Sequence, residues 1–181
     1  MNAELRCQIN DDIELRRLEP ADALDLFGLV EANREHLRQW LPWLDGTRSV
    51  DDVVAFIDAR AEQFNEGKGS HAGIRYRGTL CGVIGMHTID AFNRSTSIGY
   101  WLDAAHQGRG IMTAACQAVV THAFTTLDLH RVAIRCATEN RRSRAIPERL
   151  GFSLEGVARD GEWLYDHFVD LAVYSKLRSD A

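Results

Sequence analysis

Residues 106–115, "HQGRGIMTAA", set two glycines beside an arginine and then run into small and apolar residues. Glycine lets a backbone curl so that successive N–H groups converge. A helix beginning here adds unpaired N–H groups and the positive end of a helix dipole. Together they make an anion site, most often one for phosphate. The same residues also fit a plain surface turn with a capped helix, and this stretch alone leaves both readings open.

The flanks narrow the choice. "STSIGYWLD" before the turn reads as a strand, and a helix of about residues 110–125 follows it. Met112, Ala115, Val119 and Ala123 face inward on that helix. "HRVAIRCA" then alternates Val132, Ile134 and Cys136, a half-buried strand. "NRRSRAIPERL" reads as a short helix with Asn140 as N-cap, limited in regularity by Pro147 and stopped at Gly151. "FSLEGVARD" and "FVDLAVYSKL" form a final antiparallel pair. Upstream, "IELRRL" (13–18) is a first strand. Pro20 opens a helix that buries Ala23, Leu26, Phe27 and Val30. "REHLRQWLPWLDG" is a short helix stopped near Pro42. Ser49 and Asp52 make a capping box for an amphipathic helix through Val50, Val53, Val54, Ile57 and Phe64. "HAGIRYRG" and "TLCGVIGMHTID" are strands joined by a tight turn at Arg77-Gly78. This order predicts an α/β (α+β) fold, a mixed sheet with helices packed on its faces.

Composition bounds the function. The chain has 181 residues, 45% hydrophobic and 26% charged, which suits one soluble globular domain over residues 1–181. Net charge is -5, which speaks against a general nucleic-acid surface. Cys7, Cys81, Cys116 and Cys136 form no C-x-x-C pair, so reduced thiols in a cytoplasmic protein are the simplest reading. The opening "MNAELRCQINDD" lacks the apolar core of a signal peptide. No segment is long and apolar enough to span a membrane. No His, Cys and carboxylate cluster has metal-ligand spacing, so no metal is expected.

Two nucleotide motifs fail here. No stretch provides the P-loop pattern G-x-x-x-x-G-K-[ST]. The run Gly108-Arg109-Gly110-Ile111-Met112-Thr113 lacks the third glycine of a dinucleotide fingerprint, and antiparallel strands precede it. "QGRGIM" after "IGYWLD", followed by "TENRRSRAIPERLGF", instead resembles the GCN5-related N-acetyltransferase superfamily, whose turn reads [QR]-x-x-G-x-[GA]. Gln107 and Gly110 match that pattern, and Met112 stands where Gly or Ala is usual. "GYWL" and "N-x-x-S-R-A-I-P-E-R-L-G-F" are similar to the branch that acetylates ribosomal-protein N-termini (the RimJ/RimL type). The resemblance covers nearly the whole chain and is strongest over about residues 80–160.

The resemblance implies a mostly antiparallel sheet of about seven strands, helices on both faces and a central V-shaped splay. It implies acetyl-CoA as cosubstrate, with Gln107, Gly108, Arg109, Gly110, Ile111, Met112 and Thr113 at the pyrophosphate. Pantetheine would lie between the strand at Tyr100, Trp101 and Leu102 and the strand at 131–137. A backbone N–H near Trp101 or Leu102 would polarise the thioester carbonyl. For Tyr100 and Trp101, aromatic core packing is the competing role.

Amine acetylation needs a neutral amine and a donor for the departing thiolate. Asn140 and Ser143 match the branch's cofactor-facing asparagine and leaving-group donor; helix cap and first-turn residue are their structural alternatives. Glu162 matches a glutamate of the RimL-like branch and is the candidate base, directly or through water. A solvated charge beside a hairpin is the alternative, and His87, His106 and His167 are other candidates. Arg141, Arg142, Arg144 and Arg109 compete for the 3′-phosphate of CoA. The acidic stretch from Glu155 to Asp170 would attract a cationic amine. Trp40 and Trp43 are candidate walls of the acceptor groove. The acceptor is expected to be a protein N-terminus, of the ribosomal-protein type. A small amine such as a polyamine or antibiotic is the alternative, and a non-catalytic acyl-CoA-binding module the second. The resemblance also implies a homodimer.

Overall fold

The computed structural model describes residues 5–180. The first four residues and Ala181, which the expected span 1–181 includes, lie outside it. The elements run β1 (Cys7–Gln8), β2 (Ile13–Arg16), α1 (Ala23–Ala32), α2 (Arg34–Arg38), α3 (Val50–Asn65), β3 (Ser70–Tyr76), β4 (Thr79–Met86) and β5 (Ser95–Leu102). After the glycine turn come α4 (Ile111–Thr125), β6 (Arg131–Ala137), α5 (Arg141–Arg149), β7 (Ser153–Leu164) and β8 (His167–Leu177). The eight strands form one sheet in the order β1-β2-β3-β4-β5-β6-β8-β7. The eighth strand, beyond the seven expected, is β1. Its two residues pair with Leu15 and Glu14 and are too few to show an alternating pattern.

Local chemistry sets the element ends. Ser49 caps α3: its side chain accepts from the Asp52 N–H at 3.3 Å, and the Asp52 carboxylate accepts from the Ser49 N–H at 2.9 Å. Arg77 and Gly78 turn β3 into β4 with φ of 51° and 82°, the left-handed pair a two-residue hairpin needs. The Asn140 side chain accepts from the Ser143 N–H at 3.1 Å and starts α5. Gly151 follows the end of that helix at φ 71°.

The core lies on both faces of the sheet, because β4 alternates. Ile84 and Met86 pack with the α4 residues Met112, Ala115, Cys116 and Val119. Val83 packs on the opposite face with Leu26 of α1 and with Val53 and Ile57 of α3.

One strand pair opens the sheet. β5 and β6 are its parallel neighbours, and they pair only from Ser95↔Arg131 to Ile98↔Ile134. Both strands continue beyond that point, β5 to Leu102 and β6 to Ala137. The expected V therefore opens at Gly99 and Arg135.

The final hairpin departs from expectation at its tip. The expected strand "FSLEGVARD" ends at Asp160, but β7 runs on to Leu164, and Asp160 and Gly161 fall in a bulge between Ala158 and Glu162. Asp160 takes φ 49° there and its N–H donates to Asp170 at 2.8 Å. The turn itself is Tyr165-Asp166, with Tyr165 at φ 58°.

Candidate active site

A cleft of about 1720 Å³ runs along the open V. At its head stands the glycine turn. Gly108 and Gly110 both take φ 75°, a conformation that side chains rarely adopt, and Gly110 is the N-cap of α4. A Cβ on either glycine would meet no atom within 4 Å, so these backbones face open space. That geometry, with the free N–H groups of a helix start, fits the pyrophosphate of CoA.

Most of the expected cofactor residues line the cleft: Tyr100, Trp101, Leu102, Gln107, Gly108, Gly110, Ile111, Met112, Thr113, Asn140 and Ser143. Arg109 does not. Its guanidinium donates to the Ala105 carbonyl at 3.2 Å and lies over the Tyr76 ring. Arg144 is likewise occupied elsewhere, donating to Tyr174 and to the Thr138 carbonyl, each at 3.0 Å. Arg141 and Arg142 line the cleft, and Arg142 donates to Oε1 of Gln107 across its mouth. The amide nitrogen of Gln107 lies 2.8 Å from Nε2 of His36 on α2, tying the turn to the opposite wall.

Midway along, β5 and α5 meet. The Tyr100 hydroxyl donates to the Ser143 carbonyl at 3.1 Å, and the Ser143 hydroxyl donates to the Tyr100 oxygen at 3.3 Å. Burial pushes the Tyr100 phenol well above its ordinary value, so it stays a neutral donor. This pairing joins residues 43 positions apart, and no local spacing announces it.

Glu162 faces the same cleft from β7. Burial raises its carboxyl above the usual range, against the opposing pull of the Arg135 cation. A half-buried carboxylate with a raised pKa suits proton abstraction near neutral pH. Of the alternative bases, His87 lines the cleft and is held below its ordinary value by burial. His106 lines it as well, 2.7 Å from Asp103. His167 is exposed at the hairpin tip beside Asp166.

The far wall is the α1–α3 side. Trp40 and Trp43 line it, and Trp43 meets Trp101 at 6.3 Å between ring centroids. The hairpin tip closes this end: the Tyr165 hydroxyl donates to the Leu41 carbonyl, and Arg38 stacks over the Tyr165 ring at 3.8 Å. Phe56, Arg60 and His71 also line the wall and were not foreseen. Among the described residues no group of three His, Cys, Asp or Glu could hold a metal ion. Among them no helix is long and apolar enough to cross a membrane. All four cysteines are free thiols.

Fold, glycine turn and cleft together define a class, and comparison with known proteins fixes it. The acetyltransferase (GNAT) domain family matches residues 12–153. The chain belongs to that family and is an acetyl-CoA-dependent N-acetyltransferase. It is 42% identical over 175 residues to a Bacillus subtilis protein named "Putative ribosomal N-acetyltransferase YdaF", covering 96% of each chain. It is 30% identical to the ribosomal-protein-serine acetyltransferase of Escherichia coli, covering 94% of this chain and 95% of that one. Its structure is similar to RimL, the ribosomal L7/L12 alpha-N-protein acetyltransferase, solved with coenzyme A. The TM-score is 0.93 at 28% identity, over 97% of this chain and 99% of that one.

Proposed function

We propose that this enzyme acetylates the N-terminal α-amine of a protein, a ribosomal protein being the favoured acceptor. The observation that carries the reading is a single cleft that holds Glu162, Ser143 and the glycine turn together. The names of the relatives support the acceptor class.

The chemistry divides among the residues as follows. Acetyl-CoA supplies a thioester whose carbonyl carbon bonds the amine nitrogen as the carbon–sulfur bond breaks. Gly108 to Thr113 hold the pyrophosphate through backbone N–H groups. Arg141 and Arg142 are the cleft-lining candidates for the 3′-phosphate. The open edge of β5 from Gly99 to Leu102 offers strand-like bonds to pantetheine. Trp101 turns its N–H toward β4 in the Val83 pair, so the Leu102 N–H, on the open side, polarises the carbonyl. Glu162 takes the proton lost by the amine, directly or through a water. Ser143 swings its hydroxyl proton from the Tyr100 oxygen to the departing sulfur. An α-amine, with a pKa near ~8 against ~10.4 for lysine, needs only such a modest base.

The enzyme acts in this reading as one domain in the cytoplasm, where ribosomal acceptors and four free thiols belong. A homodimer is also proposed. Leu154, Val157, Trp163 and Phe168 of the final hairpin are each at least half exposed, apolar surface that a second copy would cover. Incubation with acetyl-CoA and candidate acceptors, followed by mass spectrometry of the products, tests the acceptor class. Turnover of polyamines or antibiotics alone would favour the small-amine reading.

A further inference from the structure

The sheet face beneath α3 carries a row of groups that acetyl transfer as described does not use. His71, Gly85 and Gly99 are lateral partners on β3, β4 and β5. The two glycines leave room that imidazoles fill. A Cβ on Gly85 would lie 2.2 Å from the His71 ring, and one on Gly99 would lie 2.4 Å from Nε2 of His87. The rings meet edge to face with centroids 6.1 Å apart. Burial, aided by the nearby Arg60 cation, keeps both imidazoles uncharged near neutral pH.

One end of this row is the opening of the V, where Gly99 and Arg135 are the first residues past the last β5–β6 pair. Glu162 lies in the field of that same Arg135. The other end is Arg60 on α3. Arg60 has no hydrogen-bond or ion-pair partner among the described residues; its Nε is buried without an acceptor, and its guanidinium lies over the Phe56 ring at 5.6 Å. Asp52, the carboxylate on the same helix that also lines the cleft, is committed to the N–H groups of Arg48 and Ser49. A guanidinium with five donors and no acceptor, set in the wall of an acceptor cleft, is built for a planar anion.

We propose that Arg60 reads an acidic side chain near the start of the acceptor chain. This rests on the N-terminal-amine reading above. Gly99 and His71 are two strand steps apart, roughly 10 Å at about 4.8 Å per step. An extended peptide covers that span in about three residues. In this arrangement the acceptor amine sits at Glu162, its backbone crosses the histidine row, and an Asp or Glu near its start, tested at positions 2 and 3, pairs with Arg60.

The test uses lysine-free hexapeptides with a free N-terminus, made in pairs with Glu or Gln at position 2 or 3. Thiol release gives kcat and KM, and mass spectrometry locates the acetyl group. The wild type favours the Glu peptide about ten- to hundredfold, the range of a hydrogen bond to a charged group, mainly through KM. Arg60→Met brings the Glu peptide down to the rate of its Gln partner. Arg60→Lys keeps part of the preference, and Arg60→Glu turns it toward an arginine-bearing peptide. Equal rates on Glu and Gln peptides with the wild type overturn the role of Arg60 alone. Failure of every peptide to be acetylated overturns the N-terminal reading beneath it. A small anionic amine that outcompetes every acidic peptide also counts against the proposal.

Discussion

Tyr100 and Ser143 hydrogen-bond to each other twice across the cleft, hydroxyl to hydroxyl at 3.3 Å and hydroxyl to carbonyl at 3.1 Å. The tyrosine thus fixes both the backbone and the side chain of the proposed thiolate donor. Tyr100→Phe removes the hydroxyl and leaves the ring. It should lower kcat about two- to tenfold, the worth of one ordinary hydrogen bond. Steady-state kinetics checks this, and an unchanged kcat would show that Ser143 needs no such support.

Ser143→Ala removes the donor itself. Its kcat should fall by about 10²-fold or more, while the affinity for acetyl-CoA, measured by calorimetry, changes little. Equal losses in binding and rate would make Ser143 a cofactor contact rather than a participant in sulfur departure.

Glu162→Gln should lower kcat by ~10²–10⁴-fold. It should also raise thermal stability at neutral pH. The carboxyl pKa is raised by burial in the folded state, so the stability it contributes is present at low pH and lost as pH rises through the folded value. The amide escapes that loss. Melting curves of both proteins should converge as the pH falls below the ordinary carboxylate range. A variant less stable than the wild type at neutral pH would contradict the burial argument.

His71 works in the opposite sense. Its imidazole is held down to about 3, first by burial and then by Arg60. The unfolded chain takes up a proton as pH falls below about 6.5, and the folded chain does not, so stability drains between there and about 3. His71→Gln should flatten this acid limb of the melting temperature. An identical limb in the variant would place the proton uptake elsewhere.

The parts of the site that sequence made legible are those set by local spacing. Gly108, Gly110, Asn140 and Ser143 fall within single turns, where φ requirements and capping geometry name the residue type. Register and long-range docking are not written that way. The strand "FSLEGVARD" reads as ending at Asp160, yet β7 continues to Leu164 and the chain turns at Tyr165. Tyr165 takes the positive φ of a tight hairpin turn, and its hydroxyl and ring are held by Leu41 and Arg38, contacts no local pattern announces. The His71–Gly85–Gly99 row exists only once three strands are in register, which no single segment specifies. β1 is too short to show any period.

The glycine turn gives a direct test of cofactor binding. Saturating acetyl-CoA at a hundredfold excess over Kd should stabilise the wild type by about 2.7 kcal/mol. Gly110→Pro removes an N–H from the turn and cannot take its φ of 75°. The thermal shift should vanish in that variant while circular dichroism still reports the fold. A full shift in Gly110→Pro would place the cofactor elsewhere.

The most direct measurement of the central claim is mass spectrometry of a lysine-free peptide after incubation with the enzyme and acetyl-CoA. One acetyl group on the N-terminal nitrogen is the expected product, with none when that terminus is blocked beforehand. Efficient acetylation of free polyamines or aminoglycosides, with no activity on any peptide or ribosomal protein, would contradict the account.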